Sequence, residues 1–323
     1  MKISVAICTY NGEKYINQQI DSILNQSLAV DEIIICDDCS TDNTVNILNN
    51  YQSIHSKLFK IVKNDTNLKT VKNFEKAISL CSGEIIFLSD QDDIWAENKV
   101  AVMVNYFKNN PNINVLTSNG YCIDENTKIH EKYSVWDVPK FLEEKEYNIN
   151  YNLMLQISNI ATGASMALRK SIVEKIMPIP EIDELYHDEW IALNYTKENS
   201  FKLINEKLFY YRIHNDQQLG GTFFDKTKEL KIKFIDYFNV DDENLSFKNL
   251  KQKLNKLCTA NEKNKFRYTN HNVDNSIFKR NLIEIEQIYR YTRKKMRQKK
   301  FFLSIILEIL DKIQNKRQLK KIN

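Results

Sequence analysis

Three carboxylates fall within four residues at Asp90-Gln91-Asp92-Asp93, directly after the apolar run Ile85-Ile86-Phe87-Leu88. A run of this kind, bounded by Gly83 and an acidic cluster, reads as a buried strand. Carboxylates at its carboxyl end face the edge where open α/β sheets bind ligands. At this spacing each negative charge raises the pKa of its neighbours. A hard cation such as Mg2+ or Mn2+ relieves that repulsion, with substrate phosphates completing its shell. The same residues also suit an acidic turn that bonds only its own backbone. The two readings part on what else the chain brings to that edge.

Two more strand ends carry polar groups. Residues 3–7 alternate like a strand, end at Thr9-Tyr10-Asn11-Gly12 and lead into a helix with Tyr15, Ile16, Ile20, Ile23 and Leu24 near helical spacing. Amides at the start of such a helix suit a phosphate. The run Glu32-Ile33-Ile34-Ile35 ends at Asp37-Asp38-Cys39-Ser40-Thr41-Asp42. Its carboxylates can accept from a base N–H or a sugar hydroxyl, and Ser40 or Thr41 can cap the next helix. A strand over 59–62, a helix over 73–81 stopped by Gly83, and a helix over 99–108 continue the alternation. This βαβα order predicts an α/β fold with a mostly parallel, doubly wound sheet.

Downstream, residues 115–118 read as a strand and 125–150 as a long loop over a site. Residues 163–168 read as a strand, 170–176 as a short helix, and 189–197 as a helix preceded by His187-Asp188. Two last strands are expected over 201–204 and 208–213. After Gly220-Gly221 the chain changes character: residues 225–318 contain no Gly or Pro and space their apolar residues helically. The expected division is an α/β domain over 1–222 and a basic, helical region over 223–323.

The 323 residues, 42% hydrophobic and 27% charged, suffice for a full core. Six scattered cysteines suit buried thiols in a reducing compartment, and Cys36-Asp37-Asp38-Cys39 has no second pair with which to hold zinc. Residues 1–7 run straight into a strand, so no signal peptide is expected. Charge concentrates at the far end: from residue 290 on there are twelve Lys and Arg against Glu308 and Asp311, although the whole chain carries only +4. These basic residues flank the apolar stretch 301–313, which is too short and too charged to span a bilayer. The combination predicts contact with an anionic membrane surface; a helix docked on the protein is the alternative. Nucleic acid is not an expected partner, because stacking aromatics are not interleaved with the charge.

Taken in order, Val5-Ala6-Ile7-Cys8-Thr9-Tyr10-Asn11-Gly12, Ile35-Cys36-Asp37-Asp38-Cys39-Ser40-Thr41-Asp42, Ser89-Asp90-Gln91-Asp92-Asp93-Ile94-Trp95 and His187-Asp188-Glu189-Trp190 resemble the family 2 glycosyltransferases of GT-A fold. The likeness covers residues 1–220 or so, and its form looks most like the rhamnosyltransferase-type members that build bacterial surface polysaccharides such as capsule and O-antigen. It implies an inverting transfer from a nucleotide-diphosphate sugar, here dTDP-rhamnose, to a lipid-linked or polysaccharide acceptor. The cofactor would be Mg2+ or Mn2+, and the protein would be cytoplasmic, peripheral at the inner membrane face. Carried over by position, Thr9 and Asp38 would contact the base, with Asn11 and Glu13 beside them. Asp90 would hold the ribose, and Asp92 would ligate the metal, helped by Asp93. Asp188 would be the general base, with Glu189 as the alternative.

Further residues are candidates. His214 can supply a third metal ligand and Arg212 a fork for the diphosphate, unless both are simply a polar strand end. Gly163, with Thr162, would line the sugar pocket, where a missing side chain admits close approach. Trp190 is an acceptor-side candidate. Cys39 departs from the glycine usual in the family's turn. A Gln-x-x-Arg-Trp motif is absent, which favours adding one or a few sugars over a long polymer. A sugar nucleotidyltransferase would need a Gly-rich triphosphate loop, which Thr9-Tyr10-Asn11-Gly12 lacks. A non-catalytic sugar-binding module would not need Asp90, Asp92 and Asp188 together.

Overall fold

The computed structural model describes residues 1–215, 223–239, 245–269 and 276–320. The chain divides into two units, Met1–Trp136 with Ile160–Phe224, and Asp137–Asn159 with Asp225–Asn323. Gly220 and Gly221, where the sequence changes character, lie outside the described residues.

The first unit begins β1 (Ile3–Thr9), α1 (Ile16–Leu24), β2 (Glu32–Asp37), α2 (Thr44–Ile54), β3 (Phe59–Lys63), α3 (Lys69–Leu80) and β4 (Ile85–Ser89). It continues with β5 (Ile94–Trp95), α4 (Lys99–Asn109), β6 (Val115–Ile123), β7 (Ile129–His130) and β8 (Lys132–Ser134). After α5 (Val138–Glu143) and α6 (Tyr151–Ile157) of the second unit, it resumes with β9 (Met166–Arg169), α7 (Val173–Ile176), α8 (His187–Tyr195) and β10 (Phe201–Arg212). The main sheet runs β3-β2-β1-β4-β9-β6-β10-β5. Its first four strands are parallel, as the alternation predicts. β9 then runs antiparallel to both β4 and β6, and β5 antiparallel to β10, so the sheet is mixed.

Apolar periodicity explains why the helices sit where they do. Ile16, Ile20 and Ile23 of α1 and Val100, Met103, Val104 and Phe107 of α4 are buried. Other expectations shift. Residues 163–165 form a short 3-10 turn before β9. The two last strands are one continuous strand, β10, irregular around Lys207 where its register on β6 slips. Residues 125–150 are not one long loop: about half lie in β7, β8, a 3-10 turn and α5, whose Val138, Phe141 and Leu142 are buried. α2 starts at Thr44, since Ser40 and Thr41 are engaged elsewhere.

The second unit adds α9 (Lys228–Phe238), α10 (Phe247–Thr269), α11 (Ser276–Lys299) and α12 (Phe301–Ile313). Leu153 of α6 meets Leu257 and Ala260 of α10 and Ile285 of α11 in one apolar cluster. Beside it a buried amide chain runs from Asn152 to Asn281 and on to Asn264, at 3.1 Å per link. Such satisfied amides fix helix register rather than bind ligand.

At the amino-terminal edge of the first sheet, Glu32 accepts from the Ser4 hydroxyl, from the Ser82 N–H at 2.5 Å and hydroxyl at 2.7 Å, and from the Gly83 N–H at 3.2 Å. Gly83 acts by close approach, not as a helix stop: a Cβ there would lie 2.4 Å from Ser4 Oγ. Burial alone would raise the Glu32 carboxyl, but these bonds and the Lys2 charge outweigh it and hold it at about 2. A carboxyl depressed below its ordinary value stabilises the fold above its unfolded pKa and loses that contribution as pH falls through the folded one. Glu32→Gln is therefore expected to cost about 1–3 kcal/mol at neutral pH. Denaturant unfolding as a function of pH should show the gap to the parent chain closing between roughly pH 4 and pH 2.

Candidate active site

The carboxyl ends of β1, β2 and β4 lie side by side, in register Thr9 to Asp37 and Ile7 to Ser89. Parallel pairing thus brings the turns at 9–13, 37–44 and 90–93 to one edge. The first two turns are laced together. Asn11 N donates to Ser40 Oγ at 2.9 Å, Gly12 N to Thr44 Oγ1 at 2.8 Å, and Thr41 N to Asn11 Oδ1 at 2.8 Å. Glu13 joins this lattice by accepting from Asn43 N at 2.8 Å. Asn11 and Cys39 both adopt left-handed backbone, at φ 49° and 67°. Asn tolerates that region; Cys does so at some strain. The turn therefore keeps the conformation a glycine would take, with Cys39 Sγ reaching Asn64 O at 3.2 Å.

Thr9 and Asp38 are both buried. Thr9 Oγ1 donates to Asp37 Oδ2 at 2.8 Å, and Asp37 also braces Ser40. Asp38 accepts from Asn64 Nδ2, Leu68 N and Lys69 N at 2.8, 2.7 and 2.9 Å. Three of its roughly four acceptor positions are thus taken, which leaves room for one further donor. Asn64, Leu68 and Lys69 complete this corner and had no sequence signal beyond their place before and at the start of α3.

The acidic turn separates its members. Gln91 clamps the first turn, accepting from Tyr10 N at 2.8 Å and donating to Tyr10 O at 3.0 Å. Its amide lies over Gly12, where a Cβ would come within 2.3 Å of Gln91 Oε1. Asp92 Oδ2 lies 3.0 Å from His214 Nε2, and the His214 ring rests against Tyr15 at 5.0 Å. Asp93 instead turns inward: it is 1% exposed, and its Oδ1 accepts from Arg212 N at 2.9 Å. Burial, then the charges of Asp92 and Asp90, push its carboxyl well above the usual range. The expected trio of Asp92, Asp93 and His214 is therefore a pair, Asp92 with His214. Among the described residues no group of three or more His, Cys, Asp or Glu is poised for a metal. One carboxylate and one imidazole fit an Mg2+ or Mn2+ that takes its other ligands from water and substrate phosphate.

Arg212 is fully buried. Its guanidinium donates to Asp92 O at 2.8 Å, Gln18 Oε1 at 2.6 Å, Asp124 O at 3.1 Å and Thr127 Oγ1 at 3.2 Å, and it lies over the Tyr15 ring. It ties the acidic turn to α1 and to the turn after β6, and is not presented to a diphosphate as expected. Lys99, which carries no local signal beyond opening α4, is its counterpart beneath Asp90. It is buried, donates from Nζ to Ala164 O at 2.5 Å and stacks its charge 4.0 Å above Trp95. Burial lowers it to about 7 against the pull of Asp93 and Asp90. Asp90 is raised to about 7 by burial and then by the charges of Asp92 and Asp188, while Lys99 and the Ala164 N–H oppose the rise.

Asp188 sits in the first turn of α8, where the helix dipole favours a negative charge. Its Oδ2 accepts from Gly163 N at 3.0 Å and its Oδ1 from Glu189 N at 2.6 Å. Gly163 and Asp188 are thus brought together, and the Gly163-Ala164 turn spans Asp188 and Asp90. Glu189 is buried next to Asp188. Trp190 belongs to the core: its indole N–H donates to Ile176 O at 2.9 Å, so it is not an acceptor platform. Trp95 and Trp136 are likewise buried, and Trp136 donates to Thr162 Oγ1 at 3.1 Å. His187 stacks on Phe74 at 3.8 Å, and burial holds it neutral, at about 3.

A Cβ on Gly163 would lie 2.8 Å from His187 Nε2. Because Phe74 fixes that ring, Gly163→Ala is expected to cost roughly 1–3 kcal/mol by overpacking. In a double-mutant cycle with His187→Ala the two costs should be less than additive. Additive costs in denaturant unfolding would show that the contact does not act.

Comparison with known proteins agrees with this architecture. Residues 4–177 match the family model described as glycosyl transferase family 2. An uncharacterized glycosyltransferase of Methanocaldococcus jannaschii is 30% identical over 216 residues, 66% of this chain and 71% of its own. One from Nostoc sp. is 29% identical over 218 residues, 66% of this chain and 65% of its own. Escherichia coli WfaP, a UDP-Glc:α-D-GlcNAc-diphosphoundecaprenol β-1,3-glucosyltransferase, is 28% identical over 230 residues, 71% of this chain and 82% of its own. Among solved structures, S. aureus TarS 1–349 in complex with UDP-GlcNAc aligns with a TM-score of 0.56 at 17% identity, covering 93% of this chain and 92% of that one. The fold is the α/β GT-A fold, a mixed sheet flanked by helices with a helical C-terminal region. With the family model spanning more than half of its length, this chain belongs to glycosyl transferase family 2.

Proposed function

We propose that the protein is an inverting, divalent-metal-dependent glycosyltransferase that moves a sugar from a nucleoside diphosphate to a glycan acceptor. The observation that carries the reading is the Gly163-Ala164 turn, whose successive N–H groups reach Asp188 at the start of α8 and Asp90 of the acidic turn after β4. Acid groups from distant segments converge beside the Asp92–His214 pair, at the sheet edge suited to a nucleotide.

In this reading Thr9, Asn11 and Asp38 form the base corner and Asp90 holds the ribose. Asp92 and His214 hold Mg2+ or Mn2+; when bound, the ion neutralises charge on the leaving diphosphate. Gly163 lies at the sugar pocket beside Asp188, and its missing side chain makes room for the His187 ring. The Gly163 N–H orients the Asp188 carboxylate, which takes the proton of the acceptor hydroxyl as that oxygen attacks the anomeric carbon. The bond to the nucleoside diphosphate breaks on the opposite face, so the configuration inverts. Asp93 and Arg212 position the turn without touching substrate.

A lipid-linked saccharide is the acceptor class, supported by the diphosphoundecaprenol-linked acceptor in the name of WfaP. In this reading the reaction runs at the inner face of the cell membrane, in surface polysaccharide assembly. The donor proposed is dTDP-rhamnose, on the likeness of the motifs to rhamnosyltransferase-type members; WfaP is named for UDP-Glc, and a Pyrobaculum calidifontis mannosyltransferase was solved with GDP-Man and Mn2+.

Thermal unfolding with nucleoside diphosphates tests the reading. Ligand at about 100 Kd should stabilise the chain by about 2.7 kcal/mol. Mn2+ should increase the shift, and Asp92→Asn should abolish that increment. A larger shift with UDP than with dTDP replaces rhamnose by a UDP-sugar, and no shift with any nucleotide contradicts the proposal.

A further inference from the structure

α12 is amphipathic in an unusual sense, because its apolar side faces out. Ser304, Leu307 and Asp311 point inward and are buried. Leu307 joins Leu250, Leu254 and Met296 in an apolar cluster. Asp311 is held by Arg293 at 2.7 Å and by Arg317. Arg293 in turn leans on Tyr289, whose hydroxyl donates to Arg317 O at 2.7 Å. This buried ion cluster fixes the rotation of the helix about its axis. The opposite face then presents Phe302, Ile306, Ile309 and Ile313, which are 79, 53, 53 and 75% exposed. Their spacing of four, three and four residues makes one stripe along the helix. Phe301, Leu303 and Leu310, also exposed, widen it.

Thirteen residues make a helix about 20 Å long, and an apolar stripe of that length in water is a cost unless something covers it. Charge decides what covers it. Lys299 and Lys300 lie exposed at one end of α12, and Lys312 and Lys316 at the other. Both carboxylates of the helix are already neutralised, Glu308 by Arg297 at 2.8 Å and Asp311 by its two arginines. The exposed side therefore combines apolar groups with cations and no free acid. A second copy of the same face would bring lysines against lysines. An anionic bilayer surface satisfies both features, taking the stripe below its headgroups and the lysines at their level.

We infer that α12 is a membrane-docking helix that inserts Phe302, Ile306, Ile309 and Ile313 into the surface of an anionic bilayer, with Lys299, Lys300, Lys312 and Lys316 at the headgroups. The inference gives the membrane-side reaction proposed above a physical anchor and rests on that reading only for its biological setting. Among the described residues no helix is long and apolar enough to cross a membrane, so the docking is interfacial.

The test is flotation of the full chain with vesicles, without nucleotide or acceptor. Vesicles of equal parts phosphatidylcholine and phosphatidylglycerol should carry the protein, and phosphatidylcholine alone should carry at least tenfold less. Raising the salt should release it, as attraction between lysines and anionic lipid is screened. Phe302→Glu with Ile306→Glu should lower binding at least tenfold at unchanged thermal midpoint, since both side chains project into solvent. No flotation, or flotation unaffected by the double substitution, overturns the inference. So does a concentration-dependent dimer that the same substitutions dissociate, because the face would then be covered by a second copy. Transfer to a soluble acceptor, measured alongside, separates the two claims: docking can fail with transfer intact, and transfer can fail with docking intact.

Discussion

The turn at 90–93 gathers three carboxylates, of which burial makes Asp90 and Asp93 costly to ionise, and two basic residues answer them, Lys99 from the next helix and Arg212 from far along the chain. Arg212, at the end of β10, takes Asp92 O with its guanidinium and Asp93 Oδ1 with its backbone N–H. Lys99, at the start of α4, lies beneath Asp90 and Asp93 and grips Ala164. Between them they leave Asp92 facing His214 and turn Asp93 inward. Without the Lys99 charge and the Arg212 N–H, the ionised forms of Asp90 and Asp93 would be costlier still.

That constraint reaches the rest of the edge through short links. Gln91 carries the order of the acidic turn to Tyr10 and Gly12, and the first turn passes it to the second through Asn11, Ser40 and Thr44. On the other side Lys99 fixes Ala164, whose neighbour Gly163 donates to Asp188. A side chain with no access to substrate can thus set the position of the residue assigned as base. Such support from behind is what pre-organises a site.

Much of this was legible in the sequence. β1, β2 and β4 are largely apolar runs, and a parallel sheet brings their carboxyl ends to one edge. Thr9, Asp38 and Asp90 could therefore be placed at one edge before any coordinates, and the family resemblance added Asp188 to them. What the sequence did not reveal was orientation. Asp92 and Asp93 are adjacent and identical in type, yet one meets His214 and the other Arg212, a choice made by β10 more than a hundred residues away. Arg212 and Trp190 look like ligand-binding residues by type, but their partners are internal carbonyls supplied by tertiary packing. Lys99 looked like an ordinary helix residue because nothing local marks a lysine that will be buried under an aspartate. In α12 the apolar and basic content was plain, but only the buried Asp311 cluster shows which face is turned out.

The central claim is that Asp188 removes the acceptor proton at a site where the nucleotide is held by other residues. Single-turnover sugar transfer by Asp188→Asn, measured with nucleotide affinity on the same preparation, tests it most directly. The account predicts an unchanged nucleotide Kd and a transfer rate lower by about 10²–10⁴-fold. Transfer at the parent rate with Asn in that position would contradict it.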